Sequence, residues 1–432
     1  MNFSQACAFL NSFQFHGMKL GLERIQALME ALNNPHLLYP VVHVAGTNGK
    51  GSTAAMLARI LQESGYRVGL YTSPHLVSVR ERFLVSGQMI SPEAFARIMT
   101  DLKRLVEAGY QVTYFELTTA LAFVFFAEEG VDVAVIECGL GGTYDATNIV
   151  RPSLCLITNV GLDHQAYLGR TRREIAREKA GILKPRTPVI TGARDVALKE
   201  IAYRASILDC PLYVAGRDFK AWGRKRLYFS FPERDFCLES IAPGLKGKYQ
   251  FRNASLALAA AVLLGEAGFE KISPETIKRG LESVFWPGRL EEISLPEGRV
   301  ILDGAHNLDG VRALEREILA RGLDRRFILL FGATDEGGDK PYLEMLRILG
   351  SRAKKVLITV PEGPRRPITV DTWRSLIREG LPFEVAALVE KPSSALKAAR
   401  KLISEETPLL VAGSLYLVGK VRNELLSGLI TS

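Results

Sequence analysis

Long hydrophobic runs are missing from this chain of 432 residues. No stretch approaches the roughly 20 apolar residues that a bilayer-spanning helix requires, so a membrane class is not favoured. Cysteine is scarce: Cys7, Cys138, Cys155, Cys210 and Cys237 are scattered, odd in number and free of any C-x-x-C pair. That pattern argues against a disulfide framework and a zinc site, and fits reduced thiols in a cytoplasm. The N-terminus, Met1-Asn2-Phe3-Ser4-Gln5, has no basic segment leading an apolar core, so no signal peptide is expected. Basic runs and aromatic-interleaved basic patches are absent too. The formal net charge of +8 is spread along the helical stretches, which reads as solvation or attraction of polyanionic small molecules rather than nucleic-acid binding. Internal repeats, low-complexity tracts and a G-x-S-x-G nucleophile elbow are also lacking.

What is present is an ordinary globular balance, 47% hydrophobic and 24% charged, in a chain long enough for two or three domains. Its most informative segment is Val41-Val42-His43-Val44-Ala45-Gly46-Thr47-Asn48-Gly49-Lys50-Gly51-Ser52-Thr53. A β-branched strand runs into a glycine-rich turn, a lysine, two hydroxyls and an amphipathic helix. Such a turn points backbone N–H groups inward, the helix N-terminus adds positive potential, and Lys50 can reach terminal phosphates. Ser52 is placed to ligate the Mg²⁺ that accompanies ATP. The spacing departs from G-x-x-x-x-G-K-[ST], because Val44 stands at the first glycine and Gly51 separates Lys50 from the hydroxyl. A plain strand-to-helix turn would need neither the lysine nor the Ser-Thr pair.

Strand-like runs at 41–45, 67–72, 131–137, 154–160 and 188–191 alternate with helical patterns, the rhythm of a mostly parallel sheet. Residues 211–240 turn to short alternating segments, as in an antiparallel flap. A second series of strands, at 299–302, 327–331, 355–360 and 409–412, follows Pro287, Gly288, Pro296 and Gly298. The expected architecture is α/β: a P-loop, mostly parallel domain over 1–285, a linker or hinge over 286–297, and a smaller Rossmann-like domain over 298–432.

Polar residues close several strands. Glu137 ends the apolar run 131–136, where ligands bind in open α/β sheets, and a carboxylate there can hold Mg²⁺ opposite a phosphate loop. Gly139-Leu140-Gly141-Gly142 imitates a dinucleotide fingerprint, but Tyr144 replaces the last glycine and no helical pattern begins there, which rejects that reading. His164 follows the strand ending in Thr158-Asn159, and Ser73 ends Tyr71-Thr72-Ser73. Singly, each is ordinary strand-end chemistry. Three donors at three strand ends around one phosphate loop make a coherent metal site. Lys179 by itself reads as a solvated helix residue, Asn253 as the N-cap of the helical run 254–261, Arg289 as a snorkelling surface residue, and Asp303-Gly304-Ala305-His306-Asn307 as a capped loop.

Together these stretches resemble the folylpolyglutamate synthase and dihydrofolate synthase family of the Mur ligase superfamily, over nearly the whole chain. Further carriers are Gly17-Met18-Lys19-Leu20-Gly21-Leu22-Glu23-Arg24, Thr113-Tyr114-Phe115-Glu116, Glu178-Lys179-Ala180-Gly181-Ile182 and Pro287-Gly288-Arg289. The resemblance implies an ATP-dependent ligase that activates a folate or dihydropteroate carboxylate as an acyl phosphate and joins it to L-glutamate. It implies that Thr47, Asn48, Gly49, Lys50, Gly51 and Ser52 bind ATP phosphates, with Asn253, Arg289, Asp303 and His306 on the nucleotide. Ser73, Glu137 and His164 would hold Mg²⁺, and Ser52 would sit near the first of two ions. Lys179 matches a lysine that the family carbamylates, turning a cation into an anion that completes a second magnesium site. Catalysis would then rest on Lys50, Glu137, His164, Lys179 and Arg289. Gly17, Met18, Lys19, Leu20, Thr113, Tyr114, Phe115, Glu116, Tyr144, Asp145 and Ala146 match the pterin or folate pocket.

Two departures stand out. Members often read Gly-Gly-Arg-Leu-Asp where this chain has Gly142-Thr143-Tyr144-Asp145, and the stretch 332–340 is looser than the usual Asp-Lys-Asp form. The resemblance implies a bifunctional enzyme, a monomer, and no nucleic-acid or membrane partner. The alternatives are a monofunctional folylpolyglutamate synthase, a cell-wall Mur ligase, and, from another class, a P-loop switch or nucleic-acid ATPase.

Overall fold

In the computed structural model, residues 1–14, 21–335 and 341–430 are described. The chain divides into two compact units: 1–162, 168–244 and 250–285 form one, while 163–167, 245–249 and 286–432 form the other.

The first unit is built on eight strands: β1 (Val41–Ala45), β2 (Val68–Tyr71), β3 (Phe83–Val85), β4 (Gln88–Met89), β5 (Val133–Glu137), β6 (Pro152–Ile157), β7 (Val189–Thr191) and β8 (Leu212–Val214). Their order is β4-β3-β2-β5-β1-β6-β7-β8. From β2 to β8 all neighbours run parallel, and β3 and β4 add an antiparallel edge. β1 and β5 are buried along their full length, which is why both read as unbroken β-branched and apolar runs rather than alternating ones. The helix Tyr114–Glu128 inserts Phe123 and Phe126, both fully buried, into the core beside β2 and β5.

The antiparallel flap expected over 211–240 is real for most of its length. β9 (Lys220–Gly223), β10 (Leu227–Phe231) and β11 (Phe236–Ile241) form a separate three-stranded sheet, but β8 belongs to the main parallel sheet.

The second unit holds β12 (Glu291–Leu295), β13 (Gly298–Leu302), β14 (Ile328–Phe331), β15 (Lys355–Thr359), β16 (Val385–Val389) and β17 (Leu409–Ala412), ordered β12-β13-β17-β14-β15-β16. Only β12 is antiparallel. The stretch 286–297, expected as linker, therefore contains a sheet strand, because Gly298 makes a hairpin of it with β13. Among the described residues no helix is long and apolar enough to cross a membrane.

Candidate active site

The glycine-rich turn leaves the carboxyl end of β1, with parallel neighbours β5 and β6 on either side. That is the position where open α/β sheets bind ligands. Gly49 sits at φ 82°, in the left-handed region, at the N-terminus of the helix Lys50–Glu63. Glycine is required there twice over: for the angle, and because a Cβ would collide with Asn253 Oδ1.

The end of β6 ties the loop down. Asn159 Oδ1 accepts from the Asn48 N–H at 2.9 Å, its amide donates back to the Asn48 carbonyl at 2.8 Å, and the Thr158 hydroxyl donates to the same carbonyl at 2.7 Å. Thr47 Oγ1 accepts from the Gly161 N–H at 3.0 Å. Thr158 and Asn159 were not among the residues expected at the site, although the polar pair closing an apolar strand was the available signal.

Two lysines meet at this loop. Lys50 Nζ donates to the Gly46 carbonyl at 3.1 Å and lies 3.9 Å from Glu137 Oε1. The ion pair is too long for a hydrogen bond, so loop carbonyls rather than Glu137 orient the ammonium. Lys179 is not the solvated helix residue its local sequence suggests. It is 3% exposed, and its Nζ donates to the same Gly46 carbonyl at 3.0 Å.

Glu137, at the end of β5, is buried, and its Oε2 accepts from the Ser73 N–H at 3.1 Å. Carboxylate and serine are thus adjacent. Ser52 is buried and its hydroxyl accepts from Gln250 Nε2 at 3.3 Å, while Gln250 Oε1 accepts from Asn253 Nδ2 at 2.7 Å. Asn253 caps nothing: its helix already begins at Lys248, so the side chain lies inside the helix, packed against Gly49.

Among the described residues no group of three or more His, Cys, Asp or Glu side chains is placed to hold a metal. One carboxylate, nearby hydroxyls and the phosphates of a bound nucleotide are nonetheless the donor set that suits Mg²⁺, which takes few protein ligands and keeps its waters.

The segments matched to the folate pocket are in the same unit, except Gly17, Met18, Lys19 and Leu20, which lie outside the described residues. Thr113 and Glu116 form a reciprocal cap on the helix Tyr114–Glu128, at 3.2 and 2.7 Å, and Arg24 Nη2 holds Glu116 Oε1 at 3.0 Å. Phe115 packs directly over Gly139, where a Cβ would strike its ring. Asp145 is buried. Its Oδ2 accepts from the Leu140 N–H at 2.8 Å and its Oδ1 from the Thr147 N–H at 3.0 Å, closing the loop that follows Glu137. Burial raises its carboxyl above the usual range, against the pull of those bonds. Ala146 is buried beside it, whereas the Tyr144 ring is half exposed.

In the second unit, Asp303 ends β13 as a hub. Its Oδ2 accepts from the Tyr249 hydroxyl and the Leu290 N–H, each at 3.0 Å, and its Oδ1 from the Ala305 N–H at 2.9 Å. Burial raises its carboxyl, and the Arg289 charge works in the opposite direction. Arg289 Nη1 donates to the Gly288 carbonyl at 3.1 Å, and His306 Nδ1 pairs with the Gly304 carbonyl at 2.8 Å. His164, read with Ser73 and Glu137 as a metal ligand, belongs to this second unit, at φ 51° beside Asp163. Asp163 Oδ2 accepts from Asn307 Nδ2 at 2.7 Å. Tyr249 carried no sequence signal of its own, whereas Asp163 stood in the family-like motif Leu162-Asp163-His164 without a role assigned to it.

The Mur ligase middle domain matches residues 44–261, and the Mur ligase glutamate ligase domain matches 288–415. The chain is 36% identical over 420 residues to the dihydrofolate synthase/folylpolyglutamate synthase of Bacillus subtilis, covering 95% of this chain and 96% of that one. It is 33% identical over 443 residues to the folylpolyglutamate synthase of Lacticaseibacillus casei, covering 99% and 100%. Its fold is similar to that of E. coli FolC in complex with DHPP and ADP, with a TM-score of 0.86 and 31% identity over 99% of this chain and 98% of the other. With both Mur ligase domains matched and relatives of this identity along its whole length, the chain belongs to the dihydrofolate synthase/folylpolyglutamate synthase family of Mur ligases and is an ATP-dependent ligase.

Proposed function

We propose that the chain joins L-glutamate to the carboxylate of dihydropteroate and also to that of a reduced folate, as a bifunctional enzyme. The observation that carries the chemistry is the convergence of Lys50 and Lys179 on the Gly46 carbonyl, with Glu137 beside Lys50. A lysine and a carboxylate at a phosphate loop, with Lys179 reaching the same loop, suit transfer of a γ-phosphoryl group to an acyl oxygen. The acceptor carboxylate oxygen attacks the γ-phosphorus and ADP leaves. The glutamate amine then attacks the acyl carbon, the C–N bond forms, and phosphate departs with the acyl oxygen while the amine sheds its proton.

Thr47, Asn48, Gly49, Lys50, Gly51 and Ser52 hold the phosphates in this reading, with Asn253 fixing the loop from behind. Family resemblance assigns Arg289, Asp303 and His306 to the nucleotide as well. Ser73, Glu137, His164 and Ser52 are the proposed Mg²⁺ ligands, and bound Mg²⁺ supplies charge neutralisation at the phosphates. Lys179 would serve as a carbamate: its neutral amine adds to CO₂ and releases a proton, which turns the cation into an anion suited to a second Mg²⁺. The pterin lies against Thr113, Tyr114, Phe115, Glu116, Tyr144, Asp145 and Ala146. Five unpaired cysteines support a reducing, cytoplasmic setting, and we place the enzyme there as a monomer.

The test is ADP release with ATP, Mg²⁺ and L-glutamate, offering dihydropteroate and tetrahydrofolate separately. Turnover with both is expected. Turnover with one alone removes the bifunctional reading, and none with either removes folates as acceptors.

A further inference from the structure

A guanidinium with no counter-ion among the described residues lies in the loop that leads from Ser73 to β3. Arg82 is 7% exposed. Its Nε donates to His75 Nδ1 at 2.9 Å, and its charged end lies 5.6 Å from the centre of the Tyr114 ring. No carboxylate pairs with it among the described residues. The neighbouring Glu81 is fully engaged elsewhere, accepting from the N–H groups of Leu76, Val77 and Ser78 at 2.8, 3.1 and 2.9 Å. Burying a cation this deeply without an anion is costly, and an aromatic face recovers only part of the loss.

The bond to His75 fixes the chemistry of the histidine. Arg82 can only donate, so His75 Nδ1 must accept, and the ring proton must sit on Nε2. A ring that accepts at Nδ1 and carries its proton on Nε2 is neutral. The pair therefore presents a two-pronged guanidinium and a neutral N–H donor. Both hang from the loop whose first residue, Ser73, donates to Glu137, and the Arg82 guanidinium faces Tyr114, the first residue of the helix that bears Phe115 and Glu116.

We infer that Arg82 and His75 form a carboxylate clamp, binding a substrate carboxylate other than the one that is phosphorylated. A guanidinium fork matches carboxylate geometry, and an anion there relieves the uncompensated charge. Two carboxylates of this class are available under the reaction proposed above, on which the inference rests. One is the α-carboxylate of the incoming L-glutamate. The other is the α-carboxylate of the glutamyl group that a folate acceptor carries and dihydropteroate lacks.

The experiment is steady-state kinetics of Arg82→Gln and of the wild type. The KM for L-glutamate is measured with dihydropteroate as acceptor, the KM for tetrahydrofolate at saturating glutamate, and the KM for ATP throughout. A rise of about 30-fold or more is expected in one carboxylate KM, with the KM for ATP unchanged. A rise for L-glutamate identifies the incoming amino acid as the bound group. A rise for tetrahydrofolate alone identifies the acceptor's own glutamyl group and makes Arg82 a determinant of acceptor preference. Carboxylate KM values within about threefold of wild type, or an equal rise for ATP, overturn the clamp. If Arg82→Gln does not fold, Arg82→Lys keeps the charge and loses the fork; the same KM then rises by about tenfold, and an unchanged value is equally fatal. A wild type that turns over neither acceptor refutes the proposed reaction instead, so the two failures are distinct.

Discussion

Lys50 and Lys179 share one acceptor: the carbonyl oxygen of Gly46 receives their ammonium groups at 3.1 and 3.0 Å. Lys50 is four residues from that carbonyl and Lys179 is 133. The loop backbone therefore holds two cations together that would otherwise repel.

Removing either lysine is expected to lower kcat by about 10²- to 10³-fold, Lys50 as a preorganised transition-state donor and Lys179 as the carbamate, with the far-UV circular dichroism unchanged. For Lys179→Ala, formate or acetate should restore part of the rate by supplying the missing anion. Absence of rescue, together with native mass spectra of the active enzyme that lack the carbamate increment, would eliminate the carbamate.

Glu137→Gln keeps the shape of the side chain and its Ser73 partner but discards the charge. The Mg²⁺ concentration giving half-maximal rate should rise about tenfold or more, while L-glutamate saturation stays near its wild-type value. A magnesium titration of the variant that overlays the wild type would take Glu137 out of the metal site.

Asp303 satisfies three donors at once, two of them buried N–H groups. Tyr249→Phe removes one bond and is expected to cost about 1 kcal/mol, whereas Asp303→Ala strands the N–H groups of Leu290 and Ala305 as well and is expected to cost at least about 3 kcal/mol. Urea denaturation of the two variants measures the ratio. Equal, small losses would mean that water replaces the carboxylate and that Asp303 is not a structural hub.

Acid stability follows from His43, which is fully buried on β1 with its pKa lowered from 6.5 to about 3, first by burial and then by the Lys184 charge. Its Nε2 pairs with the Thr147 hydroxyl at 2.8 Å. The unfolded chain takes up this proton near pH 6.5 and the folded chain only near 3. The stability contribution is therefore complete above pH 6.5 and is lost as pH falls through that window, at about 1.4 kcal/mol per unit. Thermal melts between pH 7 and 4, on the scale of that window, should fall less steeply for His43→Gln than for the wild type. Parallel slopes would show that the ring does not control acid unfolding.

The parallel sheets were legible because β1, β5, β14 and β17 are buried on both faces and so read as continuous apolar runs. β3, β4, β12 and β16 left no such trace. They are short or edge strands, and their pairing depends on partners elsewhere in the chain. Lys179 shows the same limit at the site. Its neighbours Arg177 and Glu178 make the segment look like a solvated helix face, and nothing local says that the side chain turns inward to a carbonyl in another strand's loop.

The sequence by itself determined the phosphate loop, since glycine spacing, lysine and hydroxyls are dictated by local backbone geometry and by the charge of the ligand. It also determined the alternation of strand and helix, and through motif order the family. Only the tertiary structure decided which polar groups share an environment: Thr158 and Asn159 under the loop, Lys179 on Gly46, and Arg82 on His75 with no carboxylate paired to it among the described residues. Those pairings join residues from different strands and loops, and whether a charge is paired or stranded depends on what the fold places around it.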